Sequence, residues 1–185
     1  MTDPNSPATP KPASAATQAA QRAVLAELPF SDQEDFEQAQ RGFIAPVPGG
    51  LVENERGAAL WDLQAYDFLA EEDAPDTVNP SLWRMARLNM NNGLFKVCER
   101  VYQLRGLDLA NMTIIEGDSG LIVIDPMTTA EVARAGLELY YAHRPQKPVV
   151  CVIYSHSHVD HYGGVMGVTS TDEVAQGKVA VIAPD

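Results

Sequence analysis

The chain has 185 residues, a length suited to one domain, and 45% of them are hydrophobic, enough to build a core. Its formal net charge of −12 and pI near 4.6 exclude nucleic acid as a partner, because phosphate backbones demand a basic footprint, and argue against nuclease chemistry. No apolar run has the length of a membrane span, and no charged-then-apolar leader opens the chain, so the expected location is cytoplasmic, with periplasmic or secreted as the alternative.

Residues 1–16 are rich in Pro, Ser, Thr and Ala and have no large apolar side chain after Met1, which predicts a disordered tail. Residues 17–91 read as a mainly helical extension. One helix starts near Thr17 and ends before Pro29. Ser31 with Glu34 three residues on is a capping-box pattern and predicts a helix over 32–41, stopped by Gly42. Pro46, Pro48, Gly49 and Gly50 mark a turn, and the stretch 51–62 around Trp61 shows no clear period. Asp67, Glu71, Glu72, Asp73 and Asp76 form an acidic run that reads as a solvated face. Asn79 before Pro80 predicts an N-cap and a helix over 80–90, in which Trp83 and Arg84 read as packing residues, with substrate contact as the alternative.

The pattern changes to strands in 92–185. Short apolar runs occupy 94–98 and 100–104, and 112–116 and 121–125 flank the turn Gly117-Asp118-Ser119-Gly120 as a hairpin. Thr128 with Glu131 is a second capping box, opening a helix to about His143 whose Val132, Ala135, Gly136, Leu139 and Tyr140 share one face. His143 lies at the C-terminal end of that helix, where a cation suits the dipole, and is not read as a ligand. Residues 149–154 are a buried strand, a short helix follows from Gly163, and 178–183 form one more strand. Cys98 and Cys151 fall in apolar runs and read as buried free thiols.

Three of the four histidines fall within six residues at the end of the strand 149–154, in the order His156, His158, Asp160, His161. Neutral imidazole and carboxylate are the usual zinc ligands. His156 and His158, two apart on a tight turn, can converge on one ion, and the adjacent Asp160 and His161 on a second beside it. Two such ions activate a shared water and neutralise the attacked group. Gly163 and Gly164 allow close backbone approach to this turn, and Tyr162 either shields the site or packs. A polar surface loop is the competing reading.

The stretch Val149–Gly164, together with N-P-S-L-W-R (79–84), N-G-L-F-K-V (92–97), V-Y-Q-L-R-G-L-D-L-A-N-M-T (101–113) and I-E-G-D-S-G-L-I-V-I-D-P (115–126), resembles the alkyl sulfatases of the metallo-β-lactamase superfamily, zinc-dependent enzymes related to the sodium dodecyl sulfate hydrolases. The resemblance covers about 52–185. It implies an α/β fold of the α+β kind, the metallo-β-lactamase-like αββα sandwich, of which 92–185 supply the N-terminal half behind the helical extension. It also implies two Zn2+ ions held by His156, His158, Asp160 and His161, with Asp160 orienting the attacking water as well. The expected reaction is hydrolysis of small alkyl sulfate esters to alcohol and sulfate. Thioesterase or lactonase chemistry of the same superfamily and a truncated, inactive metal-binding module are the alternatives. In such folds Asp125 either accepts a hydrogen bond from a ligand histidine, fixing its tautomer, or caps the next turn. The resemblance places further ligands, a helical dimerisation domain and a C-terminal domain beyond Asp185. The chain is therefore expected to be an N-terminal piece, inactive alone, and a homodimer only when intact.

Overall fold

The computed structural model describes residues 11–185, so most of the tail expected over 1–16 lies outside the described residues. Helix α1 spans Ala15–Glu27 and begins two residues before Thr17, because the Ser14 hydroxyl accepts the Thr17 N–H at 3.1 Å and two alanines extend the first turn. Helix α2 spans Glu34–Gln40. Its expected cap, Ser31, is not used. Asp32 accepts the Glu34 N–H at 2.8 Å instead, since a carboxylate one residue nearer the helix reaches its first free amide.

Strand β1 (Phe43–Ala45) follows, and the unassigned stretch forms a hairpin of β2 (Leu51–Glu53) and β3 (Ala59–Asp62). The Trp61 indole donates to the Gly106 carbonyl at 2.8 Å, which ties this hairpin to the main sheet. Helix α3 (Pro80–Asn89) starts where the sequence places it, with Asn79 accepting the Ser81 N–H. Trp83 is buried there and donates to the Glu71 carbonyl, while Arg84 pairs with Asp35 and lies over the Phe36 ring. Both are packing residues in this structure.

The remaining strands are β4 (Gly93–Cys98), β5 (Val101–Arg105), β6 (Met112–Glu116) and β7 (Leu121–Ile124). After them come helix α4 (Ala130–His143), β8 (Val149–Ile153), helix α5 (Thr171–Ala175) and β9 (Ala180–Ile182). Seven strands form one sheet in the order β1-β4-β5-β6-β7-β8-β9, antiparallel from β1 to β7 and parallel from β7 to β9. Alternation places Leu104, Met112, Ile114, Leu121, Val123 and Val152 on one face, all fully buried. Helix α4 lays Val132, Ala133, Leu137 and Tyr140 onto that face, each large side chain contributing roughly 1.5–3 kcal/mol. One sheet with its helix layer is half of the four-layer sandwich. On the opposite face Ile115, Ile122, Cys151 and Ile153 are only half-buried.

Three expectations are corrected here. The cap of α4 is Thr129, whose hydroxyl accepts the Val132 N–H, because the Thr128 side chain is engaged elsewhere. Cys98 is exposed and Cys151 half-buried rather than buried, since Cys98 ends β4 beyond its pairing with β1 and Cys151 faces away from α4; both are free. Only a single 3-10 turn, Val165–Gly167, follows Gly163, and the true helix, α5, opens later on a Ser170–Glu173 capping box.

Candidate metal centre

The parallel pair β7 and β8 ends in register, Ile124 opposite Ile153, so the two following loops leave the sheet side by side. Parallel strands present ligand sites beyond their carboxyl ends. The first loop, 125–129, carries Asp125 and Met127 at φ of 55° and 65°, two non-glycine residues in the left-handed region. The second begins at Ser155 and holds the histidine turn, closed by a 3-10 turn at Val159–His161. The loops interlock: Gly164 donates to the Met127 carbonyl at 2.8 Å, and a Cβ on Gly163 or Gly164 would lie 2.3 Å from the Thr128 oxygen or 2.1 Å from the Pro126 oxygen. Only glycine lets the turn come this near.

Asp125 organises the polar atoms. Its Oδ1 accepts the Ser155 N–H at 2.7 Å, its Oδ2 accepts the Ser155 hydroxyl at 2.7 Å, and the same oxygen lies 2.9 Å from Nδ1 of His161. Burial pushes the Asp125 carboxyl up, but the Ser155 and His161 hydrogen bonds outweigh it and hold the group below its ordinary value. A neutral imidazole carries one proton, and of the two carboxylate contacts of His161 the one from Nδ1 to Asp125, at 2.9 Å, is shorter than the one from Nε2 to Asp160, at 3.3 Å, which assigns the proton to Nδ1. The Ser155 hydroxyl spends its one proton on Asp125 and must accept from His156 Nδ1 at 3.0 Å. Hydrogen-bond pattern thus assigns both imidazoles the same tautomer, with the Nε2 lone pairs free.

Those lone pairs face two partners. His156 Nε2 lies 3.1 Å from His158 Nδ1, and His161 Nε2 lies 3.3 Å from Asp160 Oδ2. Two ligands of a tetrahedral zinc with bonds of 2.0–2.1 Å stand about 3.3 Å apart, so each pair has the spacing of two ligands on one ion. The His156 and His161 rings, with centroids 3.9 Å apart, bring the two pairs together. Among the described residues no group of three or more His, Cys, Asp and Glu side chains is arranged to hold an ion, so each pair offers two donors. The chemistry of the donor set, neutral imidazole and carboxylate, fits zinc.

The structure thus gathers all four residues expected from the sequence, and Asp125 beside them. Tyr162 leaves the cluster and packs on Tyr154. His143 closes α4, and a 14-residue helix is about 20 Å long, which keeps it far from the loop at the other end. Sequence reasoning missed Ser155, although a small hydroxyl residue between strand and first histidine was the available signal. It also missed Asp108, considered below.

Residues 105–185 match the model of the metallo-beta-lactamase superfamily. The chain is 59% identical over 174 residues to an (R)-specific secondary-alkylsulfatase of a Pseudomonas species, and 53% identical over 161 residues to an alkyl/aryl-sulfatase of Saccharomyces cerevisiae. These alignments cover 94% and 87% of this chain, but 26% and 25% of the relatives. The solved structure of a stereoselective inverting sec-alkylsulfatase from Pseudomonas superposes with a TM-score of 0.89 at 57% identity, over 95% of this chain and 28% of that one. The chain spans about a quarter of the length of the curated relatives it matches.

Proposed function

We propose that the chain, whose residues 105–185 match the metallo-beta-lactamase superfamily model, supplies the first half of a dinuclear zinc site that hydrolyses alkyl sulfate esters to alcohol and sulfate within a longer protein. The observation that carries this reading is the pair of donor edges, His156 with His158 at 3.1 Å and His161 with Asp160 at 3.3 Å. Bound there, the ions would supply activation of a water and neutralisation of the sulfate oxygens. The chain itself carries a net charge of −12 and repels an anionic ester, so positive charge at the site has to be imported.

The residues divide the work. His156 through Nε2 and His158 through Nδ1 would hold one ion; Asp160 through Oδ2 and His161 through Nε2 would hold the other. Asp125 fixes the ring orientation of His161 by accepting from its Nδ1–H, and Ser155 relays the same carboxylate to His156. Asp160 would also orient the attacking water. The sulfatase reading is preferred over thioesterase or lactonase chemistry because the similarity to alkylsulfatases extends through the helical extension as well as the turn.

A chimera tests it. Residues 1–185 are substituted for the N-terminal quarter of the Pseudomonas secondary alkylsulfatase, and the product is assayed against primary and secondary alkyl sulfates, thioesters and lactones. The expected result is zinc-dependent release of sulfate that His156→Ala or Asp160→Ala abolishes. A folded, metal-loaded chimera that cleaves thioesters or lactones and no alkyl sulfate would refute the proposal.

A further inference from the structure

Asp108 lies in the loop between β5 and β6, outside both loops of the metal centre, and is a buried carboxylate. Its Oδ1 accepts the Leu109 N–H at 2.6 Å and the Thr128 hydroxyl at 2.7 Å, while its Oδ2 accepts the Thr128 N–H at 2.8 Å. Leu107 and Ala110, both buried, anchor the loop on either side. Among the described residues no other side chain from outside the two site loops hydrogen-bonds to residues 125–129. The clamp thus grips Thr128, just beyond the two left-handed residues Asp125 and Met127, and directly behind the histidine turn, whose Gly163 abuts the Thr128 carbonyl. A left-handed non-glycine backbone persists only where its surroundings over-determine it.

We propose that Asp108 is a positioning residue for the metal centre. Its carboxylate fixes the 125–129 loop through Thr128, so that Asp125 meets Nδ1 of His161 and sets the tautomer that frees Nε2. The inference rests on the reading of the histidine turn given above. Asp108 touches neither substrate nor ion; it acts through Thr128 and Asp125.

The test compares the 185-residue chain with its Asp108→Asn, Thr128→Val and Thr128→Ser variants. Two readouts are used: ring nitrogen chemical shifts of His161 without added metal, and Zn2+ affinity by chelator competition. Asparagine keeps the size of Asp108 but offers one acceptor oxygen where three N–H and O–H groups converge. Valine removes only the Thr128 hydroxyl, and serine restores it. The expected result is a His161 ring protonated on Nδ1 in the wild-type chain and in Thr128→Ser. A mixture of tautomers with at least tenfold weaker Zn2+ binding is expected in Asp108→Asn, and a smaller change of the same kind in Thr128→Val.

Wild-type His161 signals in a folded Asp108→Asn variant overturn the proposal, as does a wild-type ring protonated on Nε2. If Asp108→Asn fails to fold, Thr128→Val decides: unchanged ring shifts overturn the proposal and tautomer mixing supports it. A wild-type chain that binds no Zn2+ counts against the metal reading of the turn, while the tautomer comparison still decides the role of Asp108.

Discussion

Asp125 Oδ2 stands 2.9 Å from Nδ1 of His161 and 2.7 Å from the hydroxyl of Ser155, so one oxygen sets the orientation of two imidazoles, one directly and one through a serine. Partners of this kind typically govern metal affinity by 10- to 100-fold. Asp125→Asn is the informative change, because asparagine tolerates the left-handed φ of 55° and only the charge and one acceptor are lost. Zinc affinity of that variant, measured by competition with a chromogenic chelator, is expected to fall by about 10- to 100-fold. Ser155→Ala is expected to fall less, since His161 keeps its direct bond. Affinities equal to wild type in both variants would remove Asp125 from the site.

The approach of the two loops makes a steric prediction. Gly164 has an ordinary backbone angle, so alanine there meets no conformational objection, yet its Cβ would lie 2.1 Å from the Pro126 oxygen and 2.6 Å from the Thr129 oxygen. Both are backbone atoms and cannot swing aside. Gly164→Ala is expected to cost about 1–3 kcal/mol in chemical denaturation and to weaken zinc binding with it. Gly177→Ala is the control: it has open space around it but a φ of 71°, so it should lose about 1 kcal/mol and leave zinc binding unchanged. A Gly164→Ala chain as stable as wild type would mean that the loops can separate without loss.

Glu116 ties the end of α4 to the β6–β7 hairpin. The Arg144 guanidinium holds it bidentately at 2.8 and 3.1 Å, the Tyr140 hydroxyl donates at 2.7 Å, and the Arg144 cation lies over the Tyr102 ring. The Arg144 hydrogen bonds, helped by Tyr140, keep the Glu116 carboxyl below its ordinary value against the opposing effect of burial. Because the folded value is the lower one, the stabilisation is present in full above the unfolded carboxyl value near 4.5 and is lost as pH falls through the folded value. Glu116→Gln is therefore expected to lower unfolding stability by roughly 1.5–3 kcal/mol at neutral pH, and to bring the two chains closer in stability below about pH 4. Denaturation profiles that stay parallel from pH 7 to pH 3 would contradict the assignment.

What the sequence revealed and what it hid follow from the range of the interactions. The strand before the histidines, the hairpin around Gly117–Gly120 and the α4 face were legible because local period and turn chemistry specify them. The four histidine-turn residues were legible because six residues of chain hold them together. Asp108 was not, since its partner Thr128 is 20 residues away. The same long-range contact misled the capping assignment: Thr128 matched the capping box, but Asp108 takes its hydroxyl and Thr129 caps α4. The hairpin at 51–62 showed no clear period because its strands are short, β2 burying only Val52 and β3 tying Trp61 to a distant carbonyl.

The last prediction concerns the chain by itself. Each half of the centre presents two protein donors, and no group of three is arranged to hold an ion among the described residues, whereas a catalytic zinc ordinarily has three protein ligands and an open position. The sheet face opposite α4 leaves Ile122, Cys151 and Ile153 half-buried, and the edge strand β9 leaves Ile182 exposed, so that face is uncovered by the described residues. Without enclosure, water screens the charges that would bind a sulfate ester. Zinc-supplemented 185-residue chain is accordingly expected to release sulfate from alkyl sulfates at a rate indistinguishable from free zinc, while the chimera turns over. The comparison is made at equal zinc occupancy, established by metal analysis after gel filtration, so that weak loading is not mistaken for absent chemistry. Turnover by the isolated chain close to that of the chimera would show that two donors per ion suffice, or that two copies complete one another's sites; a second-order dependence of rate on chain concentration would single out the latter.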